Sequence, residues 1–296
     1  MEKIVWAVYA KYAMVRNICT NCVSMLKLSM QCNVLYLLVI LLFSTLSYAQ
    51  EQPSKINKKS TAINFSSSYK NLSVDHAYQL QKAFVRNRAS HGITMLGFKA
   101  ELNAPANQEK YQVSKPVTGV LIKPLLQGDP VVLPYRTAEH FQIKQVLAFK
   151  ANTTLTKAVP DIDRLKSYFL EVAPAVELPD FNFIVDTFNG LDIIANNAMA
   201  NQVILGEWFD SNRDLDNIPH SLHCGDKELV RSDKSHIVDG QWQTLFWMVN
   251  HLIQQGYRIQ PGHILLTGSL DGMFDAEVCD YTADFSDLGQ IQFIIQ

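Results

Sequence analysis

The stretch "AYQLQKAFVRNRASHGITMLGFKAELN", Ala77 to Asn103, carries the reading of the fold. Its first half is helical in pattern. Ala77, Leu80, Gln81, Phe84 and Val85 recur at the three- and four-residue spacing that places them on one face. Gly92 stands just past the last of them, as a stop signal. The second half, "ITMLGFKAELN", changes to a strand pattern, with Gly97 suited to close approach of a neighbouring backbone. The folded part therefore opens on a helix–strand unit whose strand bears a lysine, Lys99.

Outward from this unit, strand-like runs rich in β-branched and aromatic residues alternate with helical ones. "VTGVLIKPLL", "QVLAFKA" and "FNFIVDTF" read as strands, and so do "HILLTGSL", "DAEVCDYTADF" and "GQIQFIIQ" towards the C-terminus. "DIDRLKSYFLEVA" reads as a helix opened by Asp161 or Asp163, and "GLDIIANNAMANQVILG" as helical or mixed. "GQWQTLFWMVNHLIQQG" is the plainest helix. Trp242, Leu245, Phe246, Val249, Leu252 and Ile253 form a broad apolar stripe, and Gly256 ends it. Short strands interleaved with three or four helices, and no internal repeat, predict a single α+β domain over residues 75–296.

With 296 residues, 48% hydrophobic and 18% charged, the chain has ample material for a core. A net charge of −2 without a basic run gives no footprint for nucleic acid and no membrane-surface patch. Residues 1–49 are of another kind. "VLYLLVILLF" (Val34 to Phe43) is uninterrupted apolar sequence, and Ser47-Tyr48-Ala49 has the small-x-small form of a cleavage site. The run is short of the roughly 20 residues of a bilayer span. Residues 1–49 read as a signal peptide, with Met25 as an alternative start, or as an uncleaved N-terminal anchor. Both place the domain outside the cytoplasm: periplasmic or secreted in the first case, membrane-anchored in the second. Residues 50–74 are polar and Ser/Lys-rich, a linker in composition. After cleavage only Cys224 and Cys279 remain; they could pair in an oxidising compartment, but two cysteines do not make a disulfide scaffold. "HSLHCGD" (His220 to Asp226) has ligand-like spacing but no second cluster to complete a metal set, and reads as a polar loop.

The order of motifs resembles the 2-oxopent-4-enoate hydratases of the fumarylacetoacetase-like superfamily. The opening stretch is similar to that family's Arg-containing helix and Gly-(Tyr/Phe)-Lys strand. "PAVELPD", "ANNAMANQVILG", "PGHILLTGSL" and "DYTADFSDLGQIQF" resemble its later motifs, in the same order to the C-terminus. The resemblance implies a β-roll of mixed sheets with flanking helices, commonly in homo-oligomers, acting on a small 2-oxo acid. It implies hydration of a conjugated 2-oxo acid through an enolate, held by Mg²⁺ or Mn²⁺ among carboxylates.

Mapped onto this chain, the family's catalytic lysine is Lys99 and its third acid is Glu177. The turn that meets the substrate carboxylate is Thr267, Gly268 and Ser269. The Glu-x-Glu pair that supplies two metal ligands falls on Lys144 and Val146, in "HFQIKQVLAFKANTTL", where no acid stands between Phe141 and Thr156. Asn196 and His263 also stand where the family has Asp. A lone acid with Asp180 nearby is a poor Mg²⁺ cage, so the metal site reads as degenerate, with the Lys144 ammonium pairing with Glu177 in the vacated place. Two functions follow: a hydro-lyase with Lys99 and Glu177 in acid–base roles, metal-independent or inactive, or a non-catalytic descendant that binds a small carboxylate through Thr267–Ser269.

Overall fold

The structure is a computed structural model and describes residues 62–69, 71–126, 128–182 and 188–296. The expected leader and most of "FNFIVDTF" lie outside the described residues. Thirteen strands follow one another along the described chain. They are β1 (Gly97–Glu101), β2 (Val117–Leu121), β3 (Val131–Leu133), β4 (Gln142–Lys150), β5 (Glu171–Leu178), β6 (Gln202–Leu205) and β7 (Phe209–Asp210). Then come β8 (His220–Cys224), β9 (Lys227–Ser232), β10 (Ile264–Ser269), β11 (Phe274–Asp275), β12 (Cys279–Asp284) and β13 (Gln290–Ile295).

They form two mixed sheets. The larger runs β2-β1-β10-β4-β5-β6, with β11 added to β4 and β7 to β5; the smaller runs β3-β13-β12-β8-β9. The β1–β10 and β3–β13 pairs are parallel and the other ladders antiparallel. This is the α+β, mixed-sheet architecture expected from the sequence.

Strands β4 and β5 are buried on both faces, and the alternation of residues separates two environments. On one face Phe98, Leu147, Phe149, Val172, Val176 and Leu265 join the main core. There they meet the helix Gly240–Gln254, which buries Leu245, Met248, Val249 and Leu252. Burying each such side chain stabilises the fold by about 1.5–3 kcal/mol. The other face is lined by smaller residues, Val146, Ala148, Ala173 and Ala175, together with Leu266. Gln145 ties the sheets together, its amide donating to the carbonyls of Ser221 and Asp284.

Several elements differ from the sequence reading. The helix Val74–Ser90 buries Ala77, Tyr78 and Gln81, while Phe84 is 38% exposed beneath the Arg88 guanidinium. Its inward face is set by Gln81, whose amide donates to the carbonyls of Thr118 and Ile194. In "DIDRLKSYFLEVA" only Ile162–Lys166 is helical, capped by Asp161, and the final Glu-Val-Ala opens β5. "HSLHCGD" is not a loop: His220–Cys224 is strand β8, paired with both β12 and β9, and Gly225 turns the chain. Cys224 and Cys279 are joined in a disulfide, Cα atoms 5.7 Å apart, which links β8 to β12 across 55 residues of sequence. Within the stretch of linker-like composition, Ala62–Ser66 is fastened to the domain through Asn182, Asn196 and Asp192. No described helix is long and apolar enough to cross a membrane.

Candidate active site

Register on the large sheet brings four charged residues together on the face with the small side chains. Lys99 and Glu101 alternate along β1, and Lys144 lies directly opposite Glu177 in the β4–β5 ladder. Their side chains close into a ring. Lys99 Nζ is 2.8 Å from Glu101 Oε2 and in contact with Glu177 Oε1. Lys144 Nζ is 2.5 Å from the same Glu101 Oε2 and 3.7 Å from Glu177 Oε2. Lys99 and Glu177 are fully inaccessible, and Lys144 and Glu101 are 1% and 6% exposed. Two ammoniums and two carboxylates alternate, so the buried charge sums to zero.

A tight turn, Asn197–Met199, packs on β2 beside Lys99. All three residues have left-handed φ, at 60°, 48° and 57°. Each costs about 1–2 kcal/mol in an L-residue. The Asn197 amide holds the turn in place, accepting from the backbone N–H of Val120 and donating to its carbonyl, both at 2.8 Å. Gly119 makes the approach possible. A Cβ there would lie 2.6 Å from the Asn197 carbonyl oxygen and 3.2 Å from Lys99 Cγ.

Burial alone would push the Glu101 carboxyl up and the Lys99 ammonium down. For Glu101 the charges of Lys144 and Lys99 outweigh burial and hold the carboxyl at about 2. For Lys99 the carboxylates of Glu101 and Glu177 outweigh burial and raise the ammonium above its ordinary value. Lys99 is therefore held as the ammonium at neutral pH. Because the folded Glu101 carboxyl lies below its unfolded value of 4.5, its stabilisation is complete above that value and is lost as pH falls towards about 2. Urea unfolding followed from pH 6 to pH 2 is expected to lose about 3 kcal/mol over that window. Glu101→Gln should remove most of that dependence, and an unchanged pH profile would contradict the arrangement.

The remaining expected positions fall elsewhere. The Thr267 side chain is buried and donates its hydroxyl to Gln241 on the main-core helix, and its carbonyl accepts from Asn103 at 2.6 Å. Ser269 donates to the Gly272 carbonyl. Both hydroxyls thus have internal partners, and at Gly268 only backbone is on offer. Lys144 does pair with Glu177, as the sequence suggests, but sits closer to Glu101. Asn196 bonds to Ile63 and Asp192, and His263 accepts from the Gln260 N–H. Neither joins the ring. Glu101 is the residue the sequence reading missed. Its signal was available: Lys-x-Glu on a strand puts both side chains on one face.

The ring does not fit Mg²⁺ or Mn²⁺. Both carboxylates already face two ammoniums, and Val146 is sealed in the apolar cluster beside them. Among the described residues no three acid, His or Cys side chains gather into a group that could hold a metal ion.

The chain superposes on 4-oxalocrotonate decarboxylase from Pseudomonas putida G7, complexed with magnesium and adipate. The TM-score is 0.74 at 18% identity, covering 80% of this chain and 91% of that one. The fold is fumarylacetoacetase-like. Among sequence relatives, a 2-keto-4-pentenoate hydratase from Burkholderia vietnamiensis is 22% identical over 219 residues, 73% of this chain and 84% of that protein. A 2-oxo-hept-4-ene-1,7-dioate hydratase from Escherichia coli is 25% identical over 253 residues, 81% of this chain and 93% of that protein. No protein-family model matches the chain. The resemblance to the hydratases read from the motifs thus extends along most of the sequence.

Proposed function

We propose that this fumarylacetoacetase-like chain is a hydratase-like protein for a small 2-oxo or enol acid, working without a divalent metal at the Lys99–Lys144 pair. One observation carries this reading. The Lys144 ammonium lies between the carboxylates of Glu101 and Glu177, in the strand register where the resemblance calls for a metal-binding acid. Two fixed, buried ammoniums can hold the negative oxygen of an enolate, which is the charge that develops in this chemistry. Lys99, kept protonated, can deliver a proton to the enol carbon, and Glu177 can take one from the attacking water. The domain is proposed to act outside the cytoplasm, periplasmic or secreted, a placement supported by the Cys224–Cys279 disulfide.

A second reading has its own support. Each of the four charges has an opposite charge within ion-pair distance, and all four are sealed from solvent. That favours a non-catalytic descendant that binds a small carboxylate without converting it. Hydration of 2-hydroxypenta-2,4-dienoate by the purified chain decides, measured alone, with Mn²⁺ and with a chelator. Turnover indifferent to the chelator, and reduced about 10²–10⁴-fold in Lys99→Met, is the expected result. Turnover that requires Mn²⁺ would refute the metal-free reading. Absence of turnover, with thermal stabilisation by pyruvate, would establish the second.

A further inference from the structure

We propose that Glu101 occupies the place of a ligand's carboxylate, so that the lysine pair is a small-carboxylate site closed by the protein's own side chain. The inference rests on the reading of the Lys99–Lys144 pair as the ligand site and adds what controls entry to it. Glu101 Oε2 alone bridges both ammoniums, at 2.8 Å and 2.5 Å, as a bound carboxylate would. Glu177 also touches both, but through a different oxygen for each.

The two acids also differ in freedom. The Glu101 side chain is 7% exposed and that of Glu177 1%. Glu101 is the last residue of β1, and the chain leaves the strand immediately afterwards, with Leu102 in a left-handed conformation at φ 58°. Glu177 lies inside β5, paired with Lys144 on one side and Val203 on the other. Of the two, Glu101 is the one that can swing away.

Without Glu101 the site holds two ammoniums and one carboxylate, a buried net charge of +1 that draws in an anion. Glu101→Ala deletes –CH₂–COO⁻, the heavy-atom skeleton of acetate, and leaves a hole of that shape between the lysines. Ligand binding to the intact protein must displace this arm, so the apparent affinity is lowered by the stability of the closed arrangement.

Acetate and pyruvate are the probes, titrated by calorimetry and by thermal shift into the wild-type chain, Glu101→Ala and Glu101→Ala/Lys144→Met. The single variant is expected to bind both anions at least about tenfold more tightly than wild type, with a rise in Tm. The double variant should lose that gain. A folded Glu101→Ala that binds no better than wild type overturns the proposal, as does a double variant that binds as well as the single one. If Glu101→Ala folds only when acetate is present, the proposal is supported; if it stays unfolded in acetate, it is overturned. The dienoate assay separates this from the proposed function. Turnover by wild type with no gain in Glu101→Ala removes only the closure. A gain in Glu101→Ala, with neither turnover nor 2-oxo acid binding by wild type, removes only the functional reading.

Discussion

Glu177→Ala is expected to lower the unfolding free energy by about 3–5 kcal/mol, the usual cost of breaking a buried ion pair by removing one partner. Glu177 contacts both Lys99 and Lys144 and is fully buried. Its loss leaves two ammoniums sharing the single carboxylate of Glu101, with no route to water. The cost comes less from a lost attraction than from a stranded charge, and this can be tested separately. Glu177→Leu combined with Lys144→Met leaves one lysine and one glutamate, a neutral pair in apolar surroundings. That double variant should recover most of the lost stability, because a well-packed apolar replacement of a buried pair is often neutral or better. Urea unfolding with an unchanged m-value is the measurement. A loss below about 1 kcal/mol in Glu177→Ala would mean the ring is open to water.

Gly97→Ala should be at least as damaging, for a steric reason. Gly97 begins β1 with φ 153°, and a Cβ on it would sit 1.9 Å from the Ile264 carbonyl oxygen and 2.6 Å from the Ile264 nitrogen. Those atoms belong to the parallel partner strand β10, so no side-chain rotation relieves the clash. The β1–β10 ladder must part, and with it the register that delivers Lys99 and Glu101 to the ring. The expected loss exceeds about 4 kcal/mol, the range reserved for such backbone conflicts. Gly92→Ala is the control. Its φ is also positive, at 79°, but nothing lies within 4 Å of the added Cβ. It should cost only about 1 kcal/mol, the penalty of the backbone conformation alone. Equal effects of the two substitutions would show that conformation, not the approach of β10, matters at Gly97.

The need for glycine at position 97 was legible in the sequence, as were the helix–strand opening, the mixed strands and the long apolar helix. These are local patterns, and local patterns survive in a single chain. Lys99 and Glu177 were legible through motif order, and the missing acids at positions 144 and 146 through the apolar and basic letters in their place. What was not legible depends on which strand lies beside which. Glu101 looked like any polar residue at a strand end until β10 and β4 brought Lys144 to it. Thr267 looked like a site hydroxyl, but its side chain falls on the other face of the sheet, where Gln241 accepts its hydrogen bond. The short segment after Asp161 reads as one helix because Leu165, Phe169 and Val172 fit a helical period; tertiary pairing with β4 claims the last of them for β5. Cys224 and Cys279 gave no spacing clue, since their proximity comes from the β8–β12 pairing.

The zero-sum ring also constrains how the sequence can drift. An acid at position 101 and a base at position 144 neutralise each other across two strands, so changing either alone strands a charge in the interior. A change at one therefore favours a compensating change at the other. In chains descended from this one, positions 101 and 144 should therefore change together or not at all.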